Sequence, residues 1–205
     1  MKISIISGSH RNPSQSEKIG RYVETLFQKN YNDIDPFLFS LADNPLPLWD
    51  QTIWESDETW VKRLAPLKEQ FSNSDAFVII TPEWHGQVPS GLKNLFLLFN
   101  RFELGHKPAF IISVSSGTGG AYPVAELRMS SYKNNRLCYI PEHLIIRDVE
   151  NVFNDKAEDN DTRSDTYYKE RLNWCLNILL GYSKALKNMR DETEIHSDKF
   201  SNGMS

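Results

Sequence analysis

The chain has 205 residues, 40% of them hydrophobic and 24% charged, with a formal net charge of -4. That length suits one globular domain with a full core, and the acidic balance argues against a nucleic-acid or anionic-membrane surface, leaving small molecules as the expected partners. No apolar run reaches membrane-spanning length, the apolar stretch within Met1–Gly8 is too short for a signal peptide, and Cys138 and Cys175 show no metal or redox spacing; a cytoplasmic protein with reduced thiols is expected.

Lys2 to Ile6 reads as a short strand, followed by Ile19, Val23, Leu26 and Phe27 at helical spacing. Ile34 to Leu41 reads as a second strand, with Pro36 suggesting an edge position or a late start. Trp60, Leu64, Leu67 and Phe71 fall on one helical face, but Pro66 lies among them and predicts a kink or two shorter helices. Ala76 to Ile80 is continuously apolar, as a strand buried on both faces must be. It breaks into Thr81-Pro82-Glu83-Trp84-His85-Gly86-Gln87-Val88, and Pro89 and Ser90 open a helix whose stripe of Leu92, Leu95, Phe96, Phe99 and Phe102 exceeds what one sheet face can bury.

Pro108 to Val114 is a fourth strand, Ser115 to Gly120 its loop, and Ala121 to Asn134 the next helix. Leu144 to Val149 gives a fifth strand and Tyr167 to Leu186 a last helix. The alternation implies βαβ units and a doubly wound α/β fold with a parallel sheet, whose ligand site lies at the carboxyl ends of the strands. Residues 1–190 are read as one domain, 154–165 as a mobile acidic excursion and 191–205 as a flexible tail.

The first loop, Gly8-Ser9-His10-Arg11-Asn12-Pro13-Ser14-Gln15-Ser16, lacks the glycines of a dinucleotide fingerprint. Hydroxyls of Ser9, Ser14 and Ser16, the Gln15 amide, the Arg11 charge and a helix start suit a phosphate monoester instead. Ser14-x-x-Glu17 also reads as a capping box, which is compatible with phosphate binding but explains neither Arg11 nor Ser9. The five histidines have no metal-ligand spacing, and Asp155, Glu158, Asp159 and Asp161 lack the glycine and spacing of a calcium loop, so no metal is expected.

Three motifs together resemble the NAD(P)H-dependent FMN reductases of flavodoxin-like fold, a family that includes quinone, azo-dye and chromate reductases. They are Gly8-Ser9-x-Arg11 with Ser14-Gln15-Ser16; Thr81-Pro82-Glu83 with Gly86 and Pro89-x-x-Leu92-Lys93-Asn94; and Ser115-x-Gly117-x-Gly119-Gly120 with Leu127-Arg128. The resemblance covers about residues 1–150 and implies a five-stranded sheet of order 2-1-3-4-5 with FMN across the strand ends. It implies that Ser9, Arg11, Ser14, Gln15 and Ser16 cradle the phosphate. Pro82, Glu83, Trp84, His85 and Gly86 then line the flavin ring, and Ser115, Gly117 and Gly119 approach its pyrimidine side. Hydride would pass from NADPH or NADH to flavin and electrons to a quinone-like, flavin or other small acceptor, with no side chain needed as a catalytic acid. The helix Leu92 to Phe102 would form a homodimer or homotetramer interface. A flavin-binding electron carrier or regulatory module without its own nicotinamide turnover is the alternative, and a flavin-free scaffold a third.

Trp84-His85 stands where the family usually has Tyr-Asn. Trp84 either packs near the flavin or a partner subunit or anchors the loop as a core residue, and Gln87 narrows the flavin or substrate pocket. His85 offers a backbone N–H to the flavin and an imidazole that, when protonated, would stabilise negative charge on the reduced ring; the alternative is a solvent-facing histidine. Glu83 is expected to orient the loop by accepting backbone N–H groups.

Overall fold

A computed structural model describes residues 1–55 and 57–201. Five parallel strands, β1 (Lys2–Ser7), β2 (Asp35–Ser40), β3 (Ala76–Pro82), β4 (Pro108–Val114) and β5 (Cys138–Ile146), form one sheet of order β2-β1-β3-β4-β5. The helices are α1 (Gln15–Asn30), α2 (Glu58–Ser72), α3 (Ser90–Leu98), α4 (Arg101–Leu104), α5 (Ala121–Ser130) and α6 (Thr162–Glu192). The parallel doubly wound sheet is the one expected from the alternating pattern, and its order is the flavodoxin-like one that the family resemblance implies.

Side-chain alternation on the central strands divides the apolar residues into two cores. Ala76, Val78 and Ile80 of β3 join Ile19, Val23 and Phe27 of α1 and Leu172, Leu176 and Leu179 of α6. Phe77 and Ile79 face the other way, onto Phe71 of α2, Leu92 and Leu95 of α3, and Val124 and Leu127 of α5. The loops after β1, β3 and β4 therefore emerge side by side on one sheet edge.

Several elements depart from the sequence reading for identifiable reasons. α2 runs unbroken through Pro66; Pro66 and Lys62 are both exposed, so water can serve the carbonyl that proline leaves without a donor. The expected helix Leu92 to Phe102 is two, because Asn100 caps α4 by accepting from the Phe102 N–H at 2.9 Å while Glu103 accepts from the Asn100 N–H at 2.9 Å. α5 ends at Ser130 rather than Asn134, where Ser131 Oγ donates to the Leu127 carbonyl at 2.8 Å.

β5 begins at Cys138, six residues before the apolar run shows it. The polar Pro141-Glu142-His143 segment coincides with a register irregularity opposite Ala109 and Ile111. Arg128 seals it by donating to the carbonyls of Ile140 at 2.7 Å and Pro141 at 2.9 Å. α6 starts at Thr162, capped by Asp161, which accepts from the Ser164 N–H at 2.9 Å, so the acidic stretch supplies the helix start. Within the 154–165 segment, Asn154 and Asn160 exchange side-chain and backbone bonds. Helix α6 reaches Glu192, and residues 202–205 of the expected tail lie outside the described residues.

Buried Lys107 donates from Nζ to the carbonyls of Phe71 at 2.6 Å, Ser72 at 2.7 Å and Glu103 at 2.8 Å, closing the carboxyl ends of α2 and α4. Burial pulls its pKa down to about 7 from the usual 10.5. Among the described residues no helix is long and apolar enough to cross a membrane.

Candidate functional site

The first loop leaves β1 at Gly8, whose N–H donates to the Ile80 carbonyl at 2.8 Å. A Cβ on Gly8 would lie 2.6 Å from Leu92 Cδ2, so glycine is required for the loop to pass under α3. Ser9 is buried, and its Oγ accepts from the Arg11 N–H at 3.2 Å, folding the loop back toward α1. Ser14 is the N-cap of α1, accepting from the Glu17 N–H at 3.1 Å. The reciprocal half of the expected capping box is not made, because the Glu17 carboxylate turns to Arg21 and to Ser40 Oγ at 2.8 Å.

Ser16 Oγ and Gln15 Oε1 are buried with no hydrogen-bond partner among the described residues, as are Ser7 Oγ at the end of β1 and Ser113 Oγ near the end of β4. Unmet buried polar atoms are uncommon in folded proteins and point to a missing partner. Three further such atoms, Arg101 Nε, Glu142 Oε2 and His143 Nδ1, lie on α4 and within β5, but these four are at the strand ends and the first turn of α1, where backbone N–H groups and the helix dipole favour an anion. Arg11 is exposed beside them.

The second loop turns tightly. The Trp84 N–H donates to the Gln87 carbonyl at 3.1 Å and the Gln87 N–H to the Trp84 carbonyl at 2.9 Å, with His85 at φ 51° and Gly86 at φ 71°. Positive φ at both central positions makes this a type I′ turn, which favours Asn-Gly and which histidine can enter at some cost. His85 and Gln87 are exposed, Trp84 is half-buried and Pro82 is buried at the end of β3. Glu126 of α5 accepts from the Val88 N–H at 2.8 Å and pairs with Lys93. Burial works against its charge, but Lys93 and the Val88 N–H outweigh burial and hold the carboxyl below its ordinary range. The Lys93-Asn94 portion of the motif is thus scaffold: Asn94 accepts from the Trp49 N–H at 2.8 Å and donates to the Pro47 carbonyl at 2.8 Å.

The third loop joins the second through Glu83, whose Oε2 accepts the Gly120 N–H. This is the loop-orienting role expected of Glu83. Gly120 sits at φ 100°, and a Cβ on Gly119 would lie 2.9 Å from Glu83 Oε1, so both glycines are required by the carboxylate contact and its turn. Gly117 faces open space, with nothing within 4 Å of its Cβ position, and its N–H donates to Ser115 Oγ at 3.2 Å.

Two residues to which the sequence reading gave no role complete the arrangement. Arg147, just past β5, donates from Nε to the carbonyls of Thr118 at 2.7 Å and Gly119 at 3.0 Å. Its signal was a lone cation ending an apolar strand on the same sheet edge. His10, the variable position inside Gly8-Ser9-x-Arg11, lies edge-to-face with Trp84 at 5.6 Å between ring centroids.

Comparison with known proteins places this geometry. A model of the NADPH-dependent FMN reductase family matches residues 1–150. An NADPH azoreductase of Bacillus sp. (strain OY1-2) is 25% identical over 146 residues, 71% of this chain and 76% of that protein. An FMN-dependent NADPH-azoreductase of Staphylococcus aureus (strain USA300) is 30% identical over 130 residues, 63% of this chain and 68% of its own. Among solved structures, the flavoenzyme NAD(P)H:(acceptor) oxidoreductase FerB of Paracoccus denitrificans shares the fold with a TM-score of 0.67 at 21% identity, covering 91% of this chain and 97% of that one. An FMN-dependent NADH-azoreductase of Bacillus anthracis in complex with FMN shares it at a TM-score of 0.54 and 15% identity, covering 92% and 99%.

The residues present fit FMN: the unpartnered Ser16 hydroxyl, the first-turn N–H groups of α1 and the Arg11 guanidinium match a phosphate monoester. With its model matching most of the chain, the NADPH-dependent FMN reductase family is the one this protein belongs to, as an oxidoreductase whose cofactor is FMN and whose electron donor is a reduced nicotinamide.

Proposed function

We propose that the protein moves electrons from NADPH or NADH through FMN to a small acceptor, a quinone-like compound, a free flavin or another small oxidant, among which the names of its relatives add azo compounds. The observation that carries this reading is the convergence of three loops on one sheet edge around buried hydroxyls that have no partner among the described residues. Bound FMN supplies the chemistry, accepting a hydride and passing electrons on. The protein's part is binding and orientation. Ser9, Arg11, Ser14, Gln15 and Ser16 hold the phosphate; Pro82, Trp84, His85 and Gly86 form a wall for the ring; Ser115, Gly117 and Gly119 bring backbone to its far side. Glu83 positions the last two loops and moves no proton.

The same reading takes residues 1–190 as one catalytic domain and assembles it as a homodimer or homotetramer. Leu97 and Phe102 are 64% and 55% exposed, and with Trp54, Trp49 and Phe96 they border a cavity of about 870 Å³ on the α3 and α4 face. A cytoplasmic location suits a reduced-nicotinamide donor and two free thiols.

The test is anaerobic. Purified protein loaded with FMN should bleach on adding NADPH or NADH and recolour when benzoquinone or an azo dye is supplied. Protein that takes up no FMN refutes the reading, and loaded protein that neither donor bleaches refutes the turnover.

A further inference from the structure

We propose that His10 and Trp84 form an aromatic clasp between the phosphate-binding and ring-binding loops, that Gly91 is the seat which lets it close, and that the clasp makes FMN a retained cofactor rather than a passing substrate. The inference rests on the FMN reading of the site. The His10 and Trp84 rings meet at 5.6 Å with an interplanar angle of 77°, an edge-to-face contact between two segments more than 70 residues apart in sequence. One belongs to the loop after β1 and the other to the turn after β3.

Neither ring is explained by core packing. Trp84 is half-buried and belongs to neither apolar core, nor to the half-buried side chains packed on them. His10 is exposed, and its ring contact is with Trp84. A tryptophan that served only to anchor its loop would be packed among aliphatic side chains; this one meets the ring of a residue in the first loop.

Gly91, in the first turn of α3, shows what the histidine needs. A Cβ there would fall 1.9 Å from His10 Nε2 and 2.7 Å from His10 Cε1. Helix α3 has no conformational need for that glycine, since the position is helical and Gly91 is not among the residues with positive φ. In a helix glycine is inferior to alanine. What the missing methyl provides is room for the imidazole against the helix backbone while the same ring meets Trp84.

Two loops held in register before the cofactor arrives lose less freedom when it binds, which slows release. The experiment loads wild type and variants with FMN, dilutes them, and follows release by the recovery of free-FMN fluorescence, with apoprotein melting as a control for folding. His10→Ala should speed release by about three- to tenfold, the worth of one aromatic pair; Trp84→Leu, which also removes part of the ring wall, should speed it by at least as much, and the double variant by no more than Trp84→Leu alone. Trp84→Tyr, which keeps a ring, should restore slow release. Gly91→Ala should match His10→Ala in wild type, because the methyl displaces the ring, and add nothing in a His10→Ala background, where no ring remains to displace. Unchanged release in the single variants, or a Gly91→Ala effect that persists without His10, overturns the clasp alone. Wild-type protein that takes up no FMN overturns the clasp together with the cofactor reading.

Discussion

Removing the Glu83 carboxylate should loosen FMN more than it loosens the fold. Glu83 Oε2 accepts the Gly120 N–H, and among the described residues this is the one direct side-chain hydrogen bond between the second and third loops. Glu83 also donates its own N–H to the Val114 carbonyl at 3.0 Å, so its backbone is fixed to the end of β4 and only its side chain reaches the loop. A hydrogen bond to a charged group contributes about 1.5–3 kcal/mol, and each 1.4 kcal/mol is roughly tenfold in affinity. If Glu83→Ala leaves Gly120 to be ordered only when FMN binds, the Kd should rise about ten- to a hundredfold. Glu83→Gln keeps a neutral acceptor, and should lose roughly half of that free energy, about 1 kcal/mol or fivefold. The loop opens locally, so apoprotein melting should fall by only a few degrees, roughly 2–4 °C per kcal/mol for a chain of this size. Titrating apoprotein into FMN and following fluorescence quenching measures the first effect, and a thermal melt the second. A Kd for Glu83→Ala within twofold of wild type would refute the loop-locking role.

Arg11→Gln should lower FMN affinity by at least about tenfold while leaving riboflavin affinity unchanged, since the lost partner is a phosphate; an equal loss for both ligands contradicts the cradle. Lys107 tests the pH dependence of stability. Its folded pKa of about 7 lies below its ordinary 10.5, so the unfolded chain binds the extra proton between those values and the lysine's contribution rises with pH across that window. The stability gap between wild type and Lys107→Met should therefore widen in favour of wild type from pH 7 to pH 10 in urea titrations, and a gap that narrows contradicts the assignment. At the I′ turn, His85→Asn should preserve or improve melting, whereas His85→Val should cost about 1–2 kcal/mol for placing a β-branched residue in the left-handed region. A cofactor midpoint potential with the same pH slope in wild type and His85→Asn would show that the imidazole does not act on the reduced ring.

How far the sequence reached depended on where each signal was stored. β1, β3 and β4 are buried on both faces and announce themselves by their apolar residues, so the parallel sheet and the position of the three loops followed, while the sheet order came from the family resemblance. β5 was half hidden because Pro141, Glu142 and His143 interrupt its pattern, and the structure repairs that interruption with Arg128, a residue distant in the local pattern. The break between α3 and α4 was written locally, in Asn100 and Glu103, but the apolar stripe continuing to Phe102 outweighed it. Glu83 could be assigned an acceptor role from its place in the loop, whereas its partner Gly120 could not, because that pairing exists only once β3 and β4 are adjacent. His10 was silent for the same reason: its neighbours Trp84 and Gly91 are brought to it by the fold.

The tertiary ties form a circuit around the site. From the loop after β1, His10 reaches Trp84; beside it Glu83 reaches Gly120; and Arg147 grips the carbonyls of Thr118 and Gly119. The segment after β5 is in turn bonded to the third loop, with the Asp148 N–H on the Gly117 carbonyl at 3.1 Å and the Val149 N–H on the Ser115 carbonyl at 3.2 Å. Lys18 closes the path: two residues beyond Ser16 on α1, its Nζ donates to the carbonyls of Val149 and Val152, both at 2.8 Å, and to Asn154 Oδ1 at 2.9 Å. Burial lowers the pKa of Lys18, opposed by Glu150 and Asp165, so this ammonium is partly withdrawn from water to serve backbone carbonyls. Loops tied only to their own strands would move independently and each would have to be ordered by the ligand. Tied to one another, they present a ring of donors already in place, which is what a site needs if its cofactor, and not its side chains, performs the chemistry.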